Sequence, residues 1–190
     1  MHRNKRSELL ARALELFAVR GYDAVGVQEI AEAAGVTKPT LYHYFGSKQG
    51  LLQVMLEERF SALEGAIRGA AEYQGDLTST LRRLAEALFR FAEDNSVYYR
   101  LQLSLWFTPA ESRPFEIVSG LHARLQHLLE GLFLLAAEDH GNMRGRHGAY
   151  AASFLGIINT YSGLALNGYL RPDAELVRRV VHQFEHGIYS

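Results

Sequence analysis

Cysteine is absent from this chain of 190 residues. Its absence excludes disulfides, thiolate metal sites and cysteine nucleophiles, and it suits a reducing compartment. No apolar run reaches the roughly 18 residues that a membrane helix requires. Charged side chains interrupt the apolar stretch within residues 1–17, where a signal peptide would carry none. We therefore expect a cytoplasmic protein.

Catalytic signatures are absent as well. The chain has no G-x-S-x-G, H-E-x-x-H, glycine-rich phosphate loop or paired-carboxylate signature, so we expect neither an enzyme nor a bound cofactor. His182 and His186 have the i, i+4 spacing that can place two metal ligands on one helix face. Two ligands do not make a site, and Arg178 and Arg179 favour a solvated face. We expect no metal, although the sequence leaves the question open.

An excess of either charge is also lacking, since the formal net charge is -1 at pH 7. This balance argues against a protein that coats nucleic acid nonspecifically. Residues 1–50 nevertheless hold seven Lys and Arg against five acids, whereas the other 140 hold thirteen against sixteen. A mildly basic N-terminal part on an acidic body is typical of a DNA-reading module carried by another domain. Hydrophobic residues make up 48% of the chain, so we expect all of it to fold.

Proline is scarce, with four residues in the chain, and strand-like alternation is missing, so the sequence predicts an all-α protein. Apolar residues spaced three and four apart indicate about nine helices. The first ends before Gly21 and the second before Gly35, and Thr37 and Ser47 are the expected N-caps of the third and fourth. Later helices are predicted to start at Asp76, at Ser96, near Ser112, at about Tyr150 and at Pro172 with Asp173.

The helix that starts near Ser112 has one apolar face for most of its length. Its apolar residues alternate spacings of three and four and are Phe115, Val118, Leu121, Leu125, Leu128, Leu132 and Leu135. We expect this face to lie in the core. The next helix, from about Tyr150 to Tyr169, is apolar throughout.

The segment from Gln28 to Tyr44 has the pattern of a helix-turn-helix. A short amphipathic helix is followed by an Ala-Gly-Val turn at residues 34–36 and then by a second short helix. A glycine turn lets the two helices cross steeply, which pushes the second one into a DNA major groove. Leu41 and Phe45 are expected to face the small core, so the tyrosines remain outside. Solvated tyrosines on so short a helix indicate a partner, and their hydroxyls donate well to phosphates.

Residues 21–52 closely resemble the N-terminal region of the tetracycline-repressor (TetR) family; they read GYDAVGVQEIAEAAGVTKPTLYHYFGSKQGLL. The shared features are the glycine after helix one, the IAEAAGVTKPTLY core and the Phe-Gly-Ser-Lys start of helix four. The resemblance covers about residues 6–55, and the remainder matches only in its layout of long apolar helices. It implies a three-helix helix-turn-helix head, residues 1–47, and a C-terminal helical bundle for ligand binding and dimerisation, residues 48–190.

Carried over by position, the resemblance implies two sets of DNA contacts. The residues that approach base edges are Gln28, Lys38, Pro39 and Thr40. The residues that hold phosphates are Thr37, Tyr42, Tyr44 and Lys48, and the free amides after Ser47 add to them.

The chain departs from the family at two positions. Gly26 stands where Thr or Ser usually caps helix two, and His43-Tyr44 stands where Tyr-His is the commoner order. A basic arm of Arg3, Lys5 and Arg6 could reach the DNA backbone or minor groove. The alternative is that this arm is only a solvated terminus.

Aromatic residues concentrate after residue 90, and most of them are expected in the core. Rings with polar neighbours could nevertheless line a cavity for a small, mostly apolar or aromatic molecule. The candidate ligand-binding residues are Tyr99, Trp106, Phe107, His122, Phe154 and Tyr161. Gly65 and Gly69 lie inside the helix that joins this region to the head, where they would make it easier to tilt.

A stripe of small and amide side chains follows one face of the helix near residues 150–169. It consists of Ala152, Gly156, Asn159, Gly163 and Asn167. Small residues allow two helices to approach closely, so we expect the dimer interface here and on the last helix. The alternative is that the stripe packs against another helix of the same chain.

The sequence thus predicts a DNA-binding transcriptional regulator, a repressor that binds a palindromic operator as a homodimer and is released by a small effector. Two alternatives stay open. The chain could be an activator or a regulator controlled by protein partners, or it could be a helical ligand-binding scaffold with a vestigial head. The presence of Thr37, Tyr42 and Lys48 argues against the scaffold.

Overall fold

The computed structural model describes residues 5–187, apart from the side chain of Asn142. This part of the chain contains nine α-helices, one short 3₁₀ turn at Gly141–Met143 and no strand, so the all-α prediction is confirmed. The helices are α1 Lys5–Arg20, α2 Val27–Ala33, α3 Lys38–Phe45, α4 Lys48–Ala70, α5 Leu77–Asp94, α6 Ser96–Trp106, α7 Arg113–Asp139, α8 His147–Leu166 and α9 Ala174–His186.

The described residues form two compact units. The first comprises the described residues up to Ser61 together with Val97–Leu121, and the second comprises Ala62–Ser96 and the described residues from His122 onward. Helices α4 and α7 each begin in the first unit and end in the second. The boundary predicted after residue 47 falls inside the first unit, and it stays a prediction.

Helices α1, α2 and α3 pack against one another around a small core in the first unit. Phe17 of α1 and Ile30 of α2 are buried there, and so are Leu41 and Phe45 of α3. The two inward-facing positions predicted for α3 are therefore confirmed. Because they are i and i+4, they hold one face of α3 against the core and leave the opposite face outside.

The turn between α2 and α3 depends on Gly35. The Gly35 amide donates to the Glu32 carbonyl at 3.0 Å, and the Val36 amide donates to the Ala31 carbonyl at 2.9 Å. Gly35 has φ +63°, a left-handed conformation that strains residues with a Cβ. The predicted glycine turn is thus present, and it ends α2 so that α3 can start in a new direction.

The corner between α3 and α4 is closed by Ser47 and Gly50. The Gly50 amide donates to Ser47 Oγ at 2.9 Å, which confirms Ser47 as the cap of α4. A Cβ on Gly50 would lie 2.1 Å from the carbonyl oxygen of Phe45. Since real Cβ atoms do not approach a backbone oxygen so closely, glycine is required here.

The second unit is built around α5, which packs against α8 and α9. Asp76 accepts the Ser79 amide at 2.9 Å, and Asp173 accepts the Leu176 amide at 2.8 Å, so side-chain caps start both α5 and α9. Buried residues on the three helices include Leu84, Ile158 and Val180. The apolar spacing after Pro172 predicts an inward face for α9 made of Val177, Val180, Val181, Phe184 and Ile188. Ile188 lies outside the described residues.

The predicted core face of α7 is wrong at its C-terminal end. Leu135 is 52% exposed and Leu128 is partly exposed, whereas Leu129, Phe133 and Ala136 are buried. A repeat of 3.5 residues falls behind the 3.6-residue turn by about 20° per heptad. Over the length of α7 this drift rotates the alternating set away from the core.

Helix α8 starts and ends three residues earlier than predicted, since it spans His147–Leu166. The Gly168 amide donates to the Ala165 carbonyl at 2.9 Å, and the Tyr169 amide donates to the Leu164 carbonyl at 3.0 Å. These two bonds form a Schellman closure, which ends the helix before Tyr169.

Candidate nucleic-acid interface

The outer face of α3 presents polar and aromatic side chains. Tyr42 is 41% exposed and Tyr44 is 40% exposed, and Lys38, Pro39 and His43 are exposed as well. Rings this large are normally withdrawn from water at least in part. With Leu41 and Phe45 fixed in the core, α3 holds these groups outward on a short, rigid helix.

Lys38 and Tyr42 lie one helical turn apart and contact each other. The Lys38 Nζ lies 5.8 Å from the centroid of the Tyr42 ring, within the range of a cation–π interaction. The ring thereby limits where the ammonium group can go without neutralising its charge. This pair forms a cationic edge beside the Tyr42 hydroxyl.

Thr37 occupies the N-cap of α3, as predicted, but its side chain does not cap the backbone. Its Oγ1 lies 2.9 Å from the Thr40 Oγ1, with which it shares a hydrogen bond. Thr37 is exposed and Thr40 is partly exposed. The two hydroxyls are therefore positioned as a pair at the start of the helix.

Gln28 is exposed on α2, and its Nε2 donates to Glu32 Oε1 at 2.7 Å. Gly26 is the N-cap of α2 and has extended backbone, φ -87° and ψ 152°, without a side-chain cap. The weak cap predicted from the sequence is thus present. A Cβ at Gly26 would meet no atom within 4 Å.

Lys48, at the start of α4, packs against the loop that follows α1. Its Nζ lies 4.2 Å from the centroid of the Tyr22 ring and donates weakly to the Asp23 carbonyl at 3.5 Å. Burial lowers the pKa of Lys48, and the Asp23 charge partly opposes that shift. The sequence did not predict this packing, because Lys48 and Tyr22 are far apart in the chain.

Two of the three residues of the predicted basic arm belong to α1. Lys5 and Arg6 are its first residues, Arg6 forms an ion pair with Glu58, and its guanidinium lies 5.8 Å from the centroid of the Phe45 ring. Arg6 therefore joins α1 to α3 and α4. Arg3 lies outside the described residues.

The comparisons with known proteins concern this same region and the whole fold. Residues 9–55 match the family described as bacterial regulatory proteins, tetR family. The structure is similar to that of PfmR, a TetR-family transcriptional regulator of Thermus thermophilus, with a TM-score of 0.75, 26% identity and 99% of each chain covered. The chain belongs to the TetR family.

Two curated relatives of this TetR-family chain are regulators. It is 42% identical over 97 residues to the HTH-type transcriptional activator FasR of Mycolicibacterium smegmatis, a match that covers 51% of this chain and 44% of FasR. It is 39% identical over 136 residues to the HTH-type transcriptional repressor KstR2 of Rhodococcus jostii, a match that covers 71% of this chain and 66% of KstR2. The chain thus matches only about half to two thirds of these relatives.

The fold is also that of a protein solved with a ligand. FadR of Bacillus subtilis, in complex with stearoyl-CoA, matches with a TM-score of 0.80 and 18% identity, over 96% of this chain and 99% of that one. At this identity the likeness concerns the fold of the TetR-family chain alone.

The six candidate ligand-binding residues are divided between the two units. In the first unit, Tyr99 is buried and Phe107 is 84% exposed, and Trp106 packs on the Phe115 ring with centroids 5.6 Å apart. In the second unit, the Phe154 ring packs edge-on to the Phe184 ring at 5.2 Å. Their role as a ligand site stays a prediction.

The other two candidates in the second unit are partly exposed. The Tyr161 hydroxyl donates to Gln183 Oε1 at 3.3 Å. Burial lowers the pKa of His122, so its imidazole favours the neutral form.

The stripe predicted for the dimer interface lies on the outer side of α8. Ala152, Gly156 and Asn167 are exposed, and Asn159 and Gly163 are partly exposed. The residues that α8 buries are on its other faces, for example Phe154 and Ile158. Within residues 5–187, no other helix covers the stripe at its three exposed positions.

His182 and His186 are both exposed. Their ring centroids are 4.4 Å apart, and the His186 ring nitrogen Nδ1 lies 3.1 Å from the His182 carbonyl oxygen. Among residues 5–187, no three His, Asp or Glu side chains form a group suited to a metal ion. Nor does any helix in this range have the length and apolarity needed to cross a membrane.

Proposed function

We propose that this protein is a sequence-specific DNA-binding transcriptional regulator whose helix α3 enters the major groove. The observation that carries the proposal is the outer face of α3, where Lys38, Tyr42 and Tyr44 project from a helix fixed by the Gly35 turn and by two buried residues. The family match over residues 9–55 supports it. A helix so placed can insert side chains between the phosphate rows of a groove about 12 Å wide.

The proposed contacts divide by chemistry. Gln28, Lys38, Pro39 and Thr40 approach base edges, where Gln and Lys can form hydrogen bonds with purines. Thr37, Tyr42, Tyr44 and Lys48 hold phosphates. The Lys48 ammonium also packs on Tyr22, so it would bind phosphate from a fixed position and would lose little conformational freedom on binding.

We propose that the protein binds a palindromic operator as a homodimer. One short recognition helix reads too few base pairs for useful specificity, so twofold repetition supplies the rest. The outward stripe on α8 supports an interface there, because Gly156 and Ala152 leave no bulky side chain between approaching helices.

Regulation would come from a small, mostly apolar or aromatic effector that releases the DNA. The rings of Tyr99, Trp106, Phe107, Phe154 and Tyr161, with His122, are the proposed contacts. FadR has this fold and holds stearoyl-CoA, which supports the fold's ability to bind a molecule with a long apolar chain. Repression is the leading form, and activation is the second candidate because FasR is named as an activator.

Selection of bound sequences from random DNA, using the purified full chain, tests the proposal. We expect an inverted repeat, and we expect the affinity of the selected site to fall steeply between 50 and 200 mM salt because phosphate contacts release counterions. Selected DNA without a repeat would contradict the twofold dimer. Recovery of no preferred sequence would contradict the proposed function and favour the scaffold.

A further inference from the structure

A cleft of about 460 Å³ lies within the second unit. It is formed by the start of α5, the ends of α7 and α9, and the beginning of α8. This volume is within the range of small-molecule sites. None of the six candidate ligand-binding residues lines it.

The apolar side of this cleft is an aromatic wall made by Phe133, Tyr150 and Phe184. The Phe133 centroid lies 5.7 Å from the Tyr150 centroid and 5.9 Å from the Phe184 centroid. The Tyr150 and Phe184 rings meet edge to face, at 6.4 Å and 81°. Phe133 is 1% exposed, so Tyr150 and Phe184, which are partly exposed, supply the ring surface that a cation can contact.

The polar side of the cleft carries two carboxylates, Asp76 and Glu185. Thr78 Oγ1 donates to Glu185 Oε1 at 2.6 Å and fixes that carboxylate beside the start of α5. The Ser79 hydroxyl and amide donate to Asp76 and lower the pKa of its carboxyl. The polar side of the cleft thus has two carboxyl groups, and that of Asp76 has a lowered pKa.

The helix ends at the cleft add to this negative charge. Residues at the C-terminal ends of α7 and α9 line it, His140 and His186 among them, and the last carbonyls of a helix attract cations. The opposing N-terminus of α5 is already occupied by the Asp76 side chain, which accepts the Ser79 amide. Among the described lining residues, these two histidines are the basic side chains.

We propose that this cleft binds a small organic cation, a substituted ammonium with apolar groups, between the aromatic wall and the carboxylates of Asp76 and Glu185. The alkyl groups of such a cation contact ring faces, and its charge is balanced by the two carboxylates. Anionic molecules of the same shape are repelled. A neutral molecule of the same shape keeps the apolar contacts and loses the electrostatic ones.

Calorimetric titration of the full chain at pH 8 with three ligands of one skeleton tests this proposal. The cation is benzyltrimethylammonium, the neutral ligand is 2-methyl-1-phenylpropan-2-ol, and the anion is 2,2-dimethyl-3-phenylpropanoate. We expect saturable binding of the cation and at least tenfold weaker binding of the other two. A neutral or anionic ligand that binds as tightly as the cation overturns the proposal, and so does a cation that shows no saturable binding.

Variants then locate the site. Glu185→Gln keeps an acceptor for Thr78 and should weaken cation binding about tenfold. Glu175→Gln makes the same charge change on α9 outside the cleft, where Glu175 pairs with Arg178, and should leave binding unchanged. Tyr150→Leu should weaken binding, whereas Tyr150→Phe, which keeps the ring, should not.

Thermal melting of each variant shows whether it is folded. Equal loss in the two glutamate variants, or cation binding that Glu185→Gln and Tyr150→Leu both leave intact, overturns the assignment to this cleft. The titration contains no DNA, so its failure leaves the proposed regulation of transcription untouched, and failure of operator binding leaves this site untouched.

Discussion

Two buried hydroxyl groups in the second unit differ in whether they have a hydrogen-bond partner. Ser162 is 1% exposed, and its Oγ has no hydrogen-bond partner among the residues that the structure describes. Thr80 is equally buried, but its Oγ1 donates to the Asp76 carbonyl at 2.8 Å. A buried polar group without a partner reduces stability, whereas a paired one does not.

Ser162→Ala should therefore raise the free energy of unfolding by about 1 kcal/mol, because it removes the orphaned hydroxyl and favours the helix. Thr80→Val, which removes a satisfied hydroxyl of similar shape, should lower it by about 1 kcal/mol. Urea unfolding followed by circular dichroism measures both. A Ser162→Ala protein less stable than the parent would mean that the hydroxyl contributes a favourable contact.

A substitution at Gly26 should increase the affinity for DNA. Gly26→Ser should stabilise α2 by a few tenths of a kcal/mol, and its hydroxyl should donate to a DNA phosphate, so we expect several-fold tighter operator binding. The open space around Gly26 admits the new Cβ. Fluorescence anisotropy on the selected operator measures the affinity, with Gly26→Ala as control; a serine variant no tighter than the alanine variant would exclude a phosphate contact there.

At the scale of the helix, variants in α3 and at the start of α4 should distinguish contacts with bases from contacts with phosphates. Lys48→Met keeps the apolar stem on Tyr22 and removes the charge, so it should weaken binding to all sites about equally and reduce the salt slope by about 1. Lys38→Ala should also relax the sequence preference. Anisotropy on the operator and on scrambled DNA, at several salt concentrations, distinguishes them; a folded Lys48→Met protein with full affinity would remove the phosphate assignment.

Helix α4 contains Gly65 and Gly69 in its interior. Among residues 5–187, no atom outside the local helix backbone would lie within 4 Å of a Cβ at either position, so packing within this part of the chain does not require these glycines. Gly65→Ala and Gly69→Ala should each raise the free energy of unfolding by about 0.5–1 kcal/mol.

If α4 must tilt for an effector to act, the double variant should bind the operator normally and resist release. Chemical denaturation measures the stability, and anisotropy with a confirmed effector measures the release. Unchanged release from the double variant would show that these glycines play no part in the response.

The capping residues next to each helix predicted most of the helix starts. Features that depend on many residues, or on residues far apart in the chain, were not predicted correctly. Ser47, Asp76 and Asp173 all precede helices and accept backbone amides, because a cap acts within four residues of itself. The face of α7 could not be extrapolated from Phe115 to Leu135, because a small error per turn accumulates. The packing of Lys48 on Tyr22 joins residues 26 positions apart, for which one sequence carries no spacing rule.

At the scale of the whole molecule, the exposed stripe on α8 determines the expected assembly. Gly156→Arg should place a long charged side chain in the proposed interface and give a monomer that no longer holds its operator. Gly120→Arg makes the same change at an exposed position of α7 and should leave the dimer intact. Sedimentation velocity measures both; a Gly156→Arg protein that stays dimeric would place the interface elsewhere.

The cleft proposed for an organic cation could not be predicted from the sequence either, because its residues are far apart in the chain. Phe133, Tyr150 and Phe184 belong to three helices and are separated by 17 and 34 positions. Phe184 follows the inward pattern of the last helix, whereas Phe133 is not on the core face that the sequence predicts for α7. Which of them meet depends on how α7, α8 and α9 pack, and helix packing allows several crossing angles.

The absence of a side chain at Gly50 has a mechanical consequence. The Gly50 backbone lies so close to Phe45 that a Cβ would be 2.1 Å from its carbonyl oxygen, so we expect α3 and the start of α4 to rotate together. Helix α3 has eight residues and is about 12 Å long. A rotation of about 10° moves its far end by about 2 Å, which is enough to break a hydrogen bond to a base edge. If α3 lies in the major groove as proposed, a small movement at the start of α4 should therefore change its contacts with the bases.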